Sequence, residues 1–365
     1  MFDQEILYAD HYEKKQGTLN KEKLHRGIDY KTFIKNDLKY LDLNVVNYWH
    51  HNKPKYEFTT PTFYRDSDCM YYYPLYKIME EMDYQDDDLP ITPELQMFHD
   101  DFTRAFTLIE LNGIGVNTNI ISTFGHKVTQ YIHDKKLFQN YNFLTTTSRP
   151  SNSIHNLNFA ALTPEHRKCF SPLNDLFIEF DFDAYHPRLI GNLIGYEFPK
   201  TSVHEYLSKK YNVSVDEGKV KTFQYMYGGI PKEVANQIEF LNMTKNLIYE
   251  MWDEFNRNKK INTHIYKRPL KDENLENLNP QKLFNYYIQS HETERNVKLL
   301  MKLHTYLLTK ETKIVHYNYD SFLFDFSKKD GVETIHEIKR ILEQDGFATK
   351  TKVGHDYGSI VNYEF

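Results

Sequence analysis

Cysteine is nearly absent from this chain of 365 residues, which contains only Cys69 and Cys169. Two cysteines cannot by themselves build a disulfide framework or a zinc site, so we expect a reducing compartment. No apolar run is long enough to span a membrane, and residues 1–30 lack the apolar core of a signal peptide. These absences favour a cytoplasmic protein without a membrane partner, in the host cytoplasm if the chain is viral.

Glycine is also scarce, with 14 residues against 29 Tyr and 25 Phe. Aromatic side chains fill a core and also provide platforms for nucleobases, and composition does not separate these uses. The formal net charge of -6 gives no overall basic footprint for nucleic acid. Positive charge is instead local. Residues 257–271 are rich in Lys and Arg, which either contact phosphates or form a solvated face.

An aspartate follows an apolar strand pattern near the middle of the chain. Residues 177–191 read FIEFDFDAYHPRLIG, in which a β-favouring run ends at Asp181 and a helical pattern follows. A strand end fixes the backbone of such a carboxylate, which suits a metal ligand, although a helix cap has the same pattern. Asp183 lies two residues further on, faces the same side and is another candidate ligand.

A second aspartate is predicted at the tip of a hairpin. Residues 313–326 read KIVHYNYDSFLFDF, two short alternating strands that meet around Asp320. Two strand-borne aspartates in one cleft would suit two Mg²⁺ ions about 3.5–4 Å apart, the arrangement used for in-line phosphoryl transfer. We therefore expect Asp181 and Asp320 to be catalytic metal ligands, with Mn²⁺ as an alternative ion.

Hydrophobic periodicity and turn residues predict the other elements. Residues 145–161, TTTSRPSNSIHNLNFAA, are polar and turn-rich, which predicts a loop without regular structure. The chain is expected to end in strands over residues 349–365. Helices are predicted over residues 93–112, 203–211, 216–228, 232–240, 244–255, 281–310 and 332–343.

Several short motifs, in this order, resemble those of the family A DNA polymerases, the bacterial DNA polymerase I type. The resemblance covers residues 94–365 and depends on the order of the motifs more than on any single one. The matching stretches are Thr147-Ser148-Arg149 for the primer-contacting segment, Asp181-Phe182-Asp183 with Arg188 for the first palm motif, Lys219 through Phe223 to Tyr227-Gly228 for the fingers helix, Tyr319-Asp320-Ser321 for the hairpin, and Gly354-His355-Asp356-Tyr357 for the closing segment.

The resemblance implies a DNA-directed DNA polymerase that extends a primer 3′-hydroxyl in DNA replication, with primer-template DNA and dNTPs as partners. It implies nucleotide-binding roles for His186, His204, Lys219, Phe223 and Tyr227. It implies DNA-binding roles for Arg149, Asn156, Asn285, Gln289 and Tyr319.

The chemistry of these residues agrees with the implied roles. Lys219 and His204 are suited to a triphosphate. Phe223 and Tyr227 lie four residues apart, so both rings share one helix face. Arg149 and Gln289 donate hydrogen bonds that suit the minor-groove acceptors shared by all base pairs.

The implied fold is α+β with a right-hand architecture, in which a palm with an antiparallel sheet, helical fingers and a reduced thumb follow a small exonuclease-like remnant. Only about 30 residues separate the Gly113-Ile114-Gly115-Val116-Asn117 segment from Thr147, at most ~45 Å of helix, where the family has a long helical hairpin. Tyr64 and Asp68 fit the Tyr-x-x-x-Asp pattern of a proofreading motif. The expected regions are 1–90 (remnant), 91–146 (thumb and connecting helix), 147–195 (first part of the palm), 196–280 (fingers) and 281–365 (second part of the palm).

The sequence departs from the family at four positions. Val215 replaces an Arg of the triphosphate clamp, whose charge is then missing or comes from Lys210 or Lys221. His186 replaces the Glu that blocks ribose entry, and Tyr319 and Ser321 replace the His and Glu that flank the hairpin Asp. The first motif also resembles that of family B polymerases, although the spacing in the fingers helix favours family A.

Two alternatives to an autonomous polymerase stay open. The chain is either the C-terminal part of a split polymerase, whose partner chain supplies exonuclease or processivity, or an inactive nucleic-acid-binding protein that kept the palm. Val215 and Ser321 motivate the second alternative.

Overall fold

The computed structural model describes residues 93–121, 132–142, 147–154, 157–158, 162–199, 202–271 and 277–364. The described chain mixes helices with antiparallel sheets, as the α+β prediction required. The helices are α1 (Pro93–Asn112), α2 (Thr118–Ile121), α3 (Pro164–Arg167), α4 (Tyr185–Ile194), α5 (Val203–Tyr211), α6 (Val215–Gly228), α7 (Lys232–Gln237), α8 (Glu239–Asn258), α9 (Pro280–Leu307) and α10 (Val332–Leu342).

The strands form one five-stranded sheet and three smaller ones, and the order in the large sheet is β10-β11-β7-β12-β13. The strands are β1 (Ile114–Gly115), β2 (Ile132–His133), β3 (Lys136–Leu137), β4 (Asn140–Asn142), β5 (Ser151–Ile154), β6 (Leu157–Asn158), β7 (Leu176–Phe182), β8 (Lys260–Asn262), β9 (Pro269–Lys271), β10 (Lys313–Asn318), β11 (Ser321–Phe326), β12 (Thr349–Gly354) and β13 (Val361–Asn362).

Strand β7 occupies the centre of the large sheet, and its alternating side chains separate two environments. Ile178, Phe180 and Phe182 point into one core, packed with residues of α1, α9 and α10. Phe177 packs in a second cluster on the other face. Because the period is two, Asp181 shares the face of Phe177 and lies at the strand end, away from the main core.

Helix α9 connects the two halves of the described chain. With 28 residues, it is about 42 Å long. Its first part, with Leu283, Phe284 and Ile288, packs among the helices α4 to α8. Its second part, with Val297 and Leu300, packs against the large sheet. The side chains between these two parts are therefore placed where the helical layer meets the sheet.

Helix α6 is fixed at its start by a capping box. The Ser214 hydroxyl accepts a hydrogen bond from the Glu217 amide at 3.4 Å, and the Glu217 carboxylate accepts one from the Ser214 amide at 3.2 Å. One turn later Gly218 packs against α5 so closely that a Cβ there would lie 1.9 Å from Ser208 Oγ. This contact sets how α6 presents its next residues.

The prediction of an irregular segment over residues 145–161 is wrong for two stretches. Strands β5 and β6 pair with β4 in a three-stranded antiparallel sheet. Polar residues can form this sheet because side chains from distant parts of the chain supply hydrogen bonds to them. Buried Asn152, for example, donates to Gln139 Oε1 and lies 3.2 Å from His316 Nδ1. The sequence pattern of hydroxyls and amides does not reveal such partners.

Most other predicted elements match the observed ones within a few residues, including the hairpin of β10 and β11 and the helix Pro93–Asn112. The two helices predicted over residues 232–240 and 244–255 are observed as α7 and α8, separated only by Ile238 in an extended conformation. No glycine or proline marks that break.

Some predictions are not tested by the described residues. Between Gly113 and Asn142 the described residues form the short strands β1 to β4 and the four-residue helix α2, and a reduced thumb over 91–146 stays a prediction. The other region boundaries also stay predictions. Tyr64, Asp68 and Asn156 lie outside the described residues.

Candidate active site

A cleft of about 470 Å³ lies between the end of β7, the N-terminal half of α9 and one face of α6. It brings together residues that are far apart in the sequence. The predicted site residues that line it are Arg149, Asp181, His186, His204, Lys219, Phe223, Tyr227, Asn285, Gln289 and Asp320.

Asp181 and Asp320 are placed side by side by the pairing of β7 with β11. Asp181 lies opposite Ser321 in the ladder, and the Phe182 amide donates to the Asp320 carbonyl oxygen at 2.8 Å. Tyr319 precedes Asp320 with φ 58°, so the hairpin turns at these two residues. Both carboxylates face the cleft.

Burial and neighbouring negative charge disfavour the ionised form of Asp320. Desolvation in the cleft, followed by the negative charges of Asp181 and Glu292, raises the pKa of Asp320 to about 6. The Asp320 side chain nevertheless remains exposed to the cleft. A cation placed there would relieve this repulsion.

Lysines of β12 neutralise part of the negative charge at this edge of the sheet. Lys352 Nζ lies 2.9 Å from Glu179 Oε1 and 3.1 Å from Asp181 Oδ2. Lys350 Nζ lies 3.0 Å from Asp183 Oδ1. Burial opposes ionisation of Asp183, but Lys350 and Arg188 hold its pKa below the usual value. Asp183 is thus already paired, whereas Asp320 has no ion pair among the described residues.

One face of α6 forms the opposite side of the cleft. Lys219, Phe223 and Tyr227 are spaced four residues apart and all three line the cleft. The rings of Phe223 and Tyr227 stack with centroids 6.2 Å apart. His186 meets both rings, with centroid distances of 6.3 Å to Phe223 and 5.8 Å to Tyr227. The cleft therefore has an aromatic wall that ends in a lysine.

Positive charge gathers around His204. Burial lowers the pKa of His204, and the negative charge of Asp183 opposes that shift. Three neighbouring cations lower it further: Lys219, Lys350 and Arg188. His204 Nδ1 is buried without a hydrogen-bond partner among the described residues. An anion with several oxygens matches this environment.

The third side of the cleft is one face of α9. Asn285, Gln289 and Glu292 follow each other at helical spacing and all line the cleft. Gln289 Nε2 donates to Asn285 Oδ1 at 3.0 Å, and Gln289 Oε1 accepts from Thr147 Oγ1 at 3.2 Å. The bond with Thr147 connects α9 to the segment that carries Arg149.

Arg149 and Tyr319 contact each other directly, and the guanidinium carbon lies 3.8 Å from the ring centroid. Tyr319 does not itself line the cleft. Asn296 of α9 holds the hairpin from behind by donating to the Tyr319 carbonyl oxygen at 2.8 Å.

Two charged residues that line the cleft, Glu292 and Lys350, were missed by the sequence analysis. Glu292 lies within a helical pattern among other charged residues, where a charge is typical of a solvated face. Lys350 lies in the final predicted strands and carries no motif. The two lysines suggested as substitutes for the missing clamp cation, Lys210 and Lys221, do not line the cleft, and Val215 is 46% exposed.

The structure is similar to a solved DNA polymerase domain, the POL domain of Pol1 from M. smegmatis in complex with DNA primer-template and dNTP. The TM-score is 0.52 at 12% sequence identity, over 93% of this chain and 68% of that chain. This likeness shows a polymerase-like fold. No protein-family model matches the sequence, and no curated protein matches it.

Membership of family A, the thumb and the exonuclease remnant stay predictions. Within the described ranges, no three His, Cys, Asp or Glu side chains are grouped so as to hold a metal ion. No described helix is long and apolar enough to cross a membrane.

Proposed function

We propose that this chain is a DNA-directed DNA polymerase that adds deoxynucleotides to a primer 3′-hydroxyl under the direction of a template. The observation that carries the proposal is the cleft itself. Two carboxylates, Asp181 in β7 and Asp320 at the β10–β11 turn, face a group of cations and an aromatic helix face across a space of about 470 Å³. The polymerase-like fold supports the same reaction class.

Asp181 and Asp320 are suited to hold Mg²⁺, or Mn²⁺ in its place. Magnesium is usually bound by one or two carboxylates and completed by substrate phosphates and water, so two aspartates without a third ligand fit it. Desolvation, followed by the negative charges of Asp181 and Glu292, raises the pKa of Asp320, so a cation here would favour its ionised form. When bound, the ions would stabilise charge on the attacking and leaving oxygens of an in-line displacement.

The cationic side of the cleft would bind the triphosphate of an incoming dNTP. Lys219 contributes an ammonium group, and His204 a buried nitrogen without a partner. Lys350 is a further cation on this side. Together these groups would orient the nucleotide so that the primer 3′-hydroxyl bonds to the α-phosphorus while the bond to pyrophosphate breaks.

The aromatic and amide sides would hold the nascent base pair and the DNA. Phe223 and Tyr227 would pack against the base pair and select it by its shape, and His186 would lie beside the sugar. Arg149, Asn285 and Gln289 would contact the primer-template, with donors suited to the acceptors that all base pairs share. Tyr319 would support Arg149 through the contact of its ring with the guanidinium group.

Primer extension tests the proposal. A labelled primer on a complementary strand is incubated with the chain, Mg²⁺ and one dNTP at a time. We expect incorporation of the nucleotide that pairs with the next template base and little incorporation of the other three. Binding of the duplex without any incorporation would instead favour the inactive nucleic-acid-binding protein. Incorporation independent of the template base would exclude a templated enzyme.

A further inference from the structure

Glu292 is a fully buried carboxylate at the junction of the cleft walls. Its side chain is 0% exposed. Glu292 Oε2 lies 3.0 Å from Arg149 Nε and 3.0 Å from His186 Nε2, and Oε1 accepts from Arg149 Nη2 at 3.3 Å. One carboxylate of α9 thus contacts a side chain on the DNA side of the cleft and another on the nucleotide side.

The contacts continue on both sides. His186 Nδ1 lies 2.5 Å from the Tyr227 hydroxyl. One ring nitrogen of His186 contacts the Glu292 carboxylate and the other contacts the Tyr227 hydroxyl, so the ring is held at both nitrogens. On the other side, the Arg149 guanidinium covers the ring of Tyr319. The network therefore joins α9, α4, α6 and the β10–β11 hairpin.

The charge of Glu292 is retained in this buried position. Burial opposes its ionisation, but Arg149 and His186 hold its pKa below the usual value. A buried anion of this kind is tolerable only while its partners stay in place, and loss of Glu292 would remove its ion pair with Arg149. The positions of Arg149 and His186 thus depend on the same carboxylate.

We propose that Glu292 is a positioning residue that couples the two substrate sites, by holding Arg149 for the primer-template and the His186–Tyr227 pair for the nucleotide. The coupling proposal rests on the proposed polymerase function. Glu292, which belongs to none of the sequence motifs, would thus connect the primer-template side of the cleft with the nucleotide side. Binding of one substrate is then expected to change the affinity for the other.

Double-mutant cycles test the coupling. The dissociation constant of a labelled primer-template is measured by fluorescence anisotropy for Arg149→Ala in the native and Glu292→Gln backgrounds. The KM for dNTP, separately from kcat, is measured for His186→Ala in the same two backgrounds. In each cycle we compare the factor by which the alanine substitution raises the dissociation constant or the KM. This factor should be at least about fivefold smaller in the Glu292→Gln background than in the native one, because the effects of substituting contacting residues are not additive.

The matched control is Glu233→Gln, an exposed glutamate at the start of α7, which should leave both costs unchanged. Equal costs in the native and Glu292→Gln backgrounds would overturn the proposal. A uniform loss of kcat, affinity and melting temperature would also overturn it, since that pattern describes a structural role.

Hydrogen exchange separates this proposal from the proposed function. In the protein without substrates, Glu292→Gln should speed amide exchange in the last two turns of α6, because Tyr227 loses an anchored partner. Unchanged exchange there contradicts the network even if the chain is a polymerase. Faster exchange without any primer extension supports the network and rejects the polymerase.

A second variant serves if Glu292→Gln does not fold. Tyr227→Phe removes only the hydroxyl that contacts His186, and its effect on the KM for dNTP should disappear in the His186→Ala background. An effect on KM that persists there would overturn the coupling.

Discussion

The backbone amide of Phe182 donates a hydrogen bond to the carbonyl oxygen of Asp320 at 2.8 Å. This bond closes the ladder between the central strand and the hairpin at the point where each presents its aspartate. The spacing of the two carboxylates is therefore set by backbone pairing rather than by flexible side chains. Such rigid support is what a site for phosphoryl transfer requires.

Asp320→Asn should abolish the proposed activity. Removing one of two metal-binding carboxylates should lower the rate by about three decades or more. The measurement is single-turnover primer extension at saturating DNA and dNTP. Asp345→Asn, an exposed substitution at a residue with φ 65° that asparagine tolerates, is the matched control and should keep the native rate. Loss of activity in both variants would indicate damage to folding instead.

The same substitution should stabilise the metal-free protein above pH 6. The pKa of Asp320 rises from 3.8 in the unfolded chain to about 6 in the folded one. Between these values the folded protein binds more protons than the unfolded chain, so this group lowers stability as pH rises. Asparagine does not titrate, so the free energy of unfolding of the Asp320→Asn variant does not fall for this reason as the pH rises. Melting temperatures in EDTA should favour Asp320→Asn at pH 7.5 and match the native protein near pH 3.5; a native protein more stable at pH 7.5 would contradict the assignment.

Lys350→Ala should raise the KM for dNTP. Lys350 Nζ lines the cleft beside Asp183 and near His204, where the triphosphate is proposed to bind. Loss of one hydrogen bond to a charged group should raise KM by about tenfold. Steady-state kinetics with Lys210→Ala as the control checks this, since Lys210 lies outside the cleft. Equal KM values for the two variants would show that Lys350 does not bind the triphosphate.

Gly218→Ala should destabilise the packing of α5 against α6. The new Cβ would lie 1.9 Å from Ser208 Oγ and 2.9 Å from the Ser208 Cα, so the helices must separate. Overpacking of this kind costs about 1–3 kcal/mol. Gly228→Ala on the same helix, where a Cβ meets nothing within 4 Å, is the control. Urea denaturation should show a lower midpoint for Gly218→Ala alone; equal midpoints would show that α5 adapts.

Extension by the isolated chain should be weakly processive if the thumb is as short as the sequence indicates. Primer extension with an excess of unlabelled trap DNA should then give short products after one binding event. Long products from the chain alone would reject the reduced thumb. Lengthening of products by a second chain would support a partner that supplies processivity.

The sequence predicted the aspartate strand and the hairpin because local patterns determine both. The apolar run before Asp181 and the alternation on either side of Asp320 needed no distant information. The spacing of Lys219, Phe223 and Tyr227 likewise identified one helix face, and all three line the cleft.

The polar part of α9 could not be predicted in the same way. Residues 290–296 read SHETERN, a pattern typical of a solvated face, yet all are buried. Their partners lie far away in the chain, such as Arg149 for Glu292 and Arg268 for Glu294. A buried charge is stable only with such partners, and the sequence around it does not identify them. Strand β5 was not predicted for the same reason, since His316, a hydrogen-bond partner of its buried Asn152, also lies far away in the chain.

Counting bound divalent ions is the most direct test of the central claim that Asp181 and Asp320 form one metal site. Mn²⁺ binding is followed by electron paramagnetic resonance in the presence of a chain-terminated primer-template and the next dNTP. The native protein should bind two ions, and both Asp181→Asn and Asp320→Asn should lose ion binding in this complex. Native binding that persists in both variants, or a native complex that binds no ions, would contradict the account.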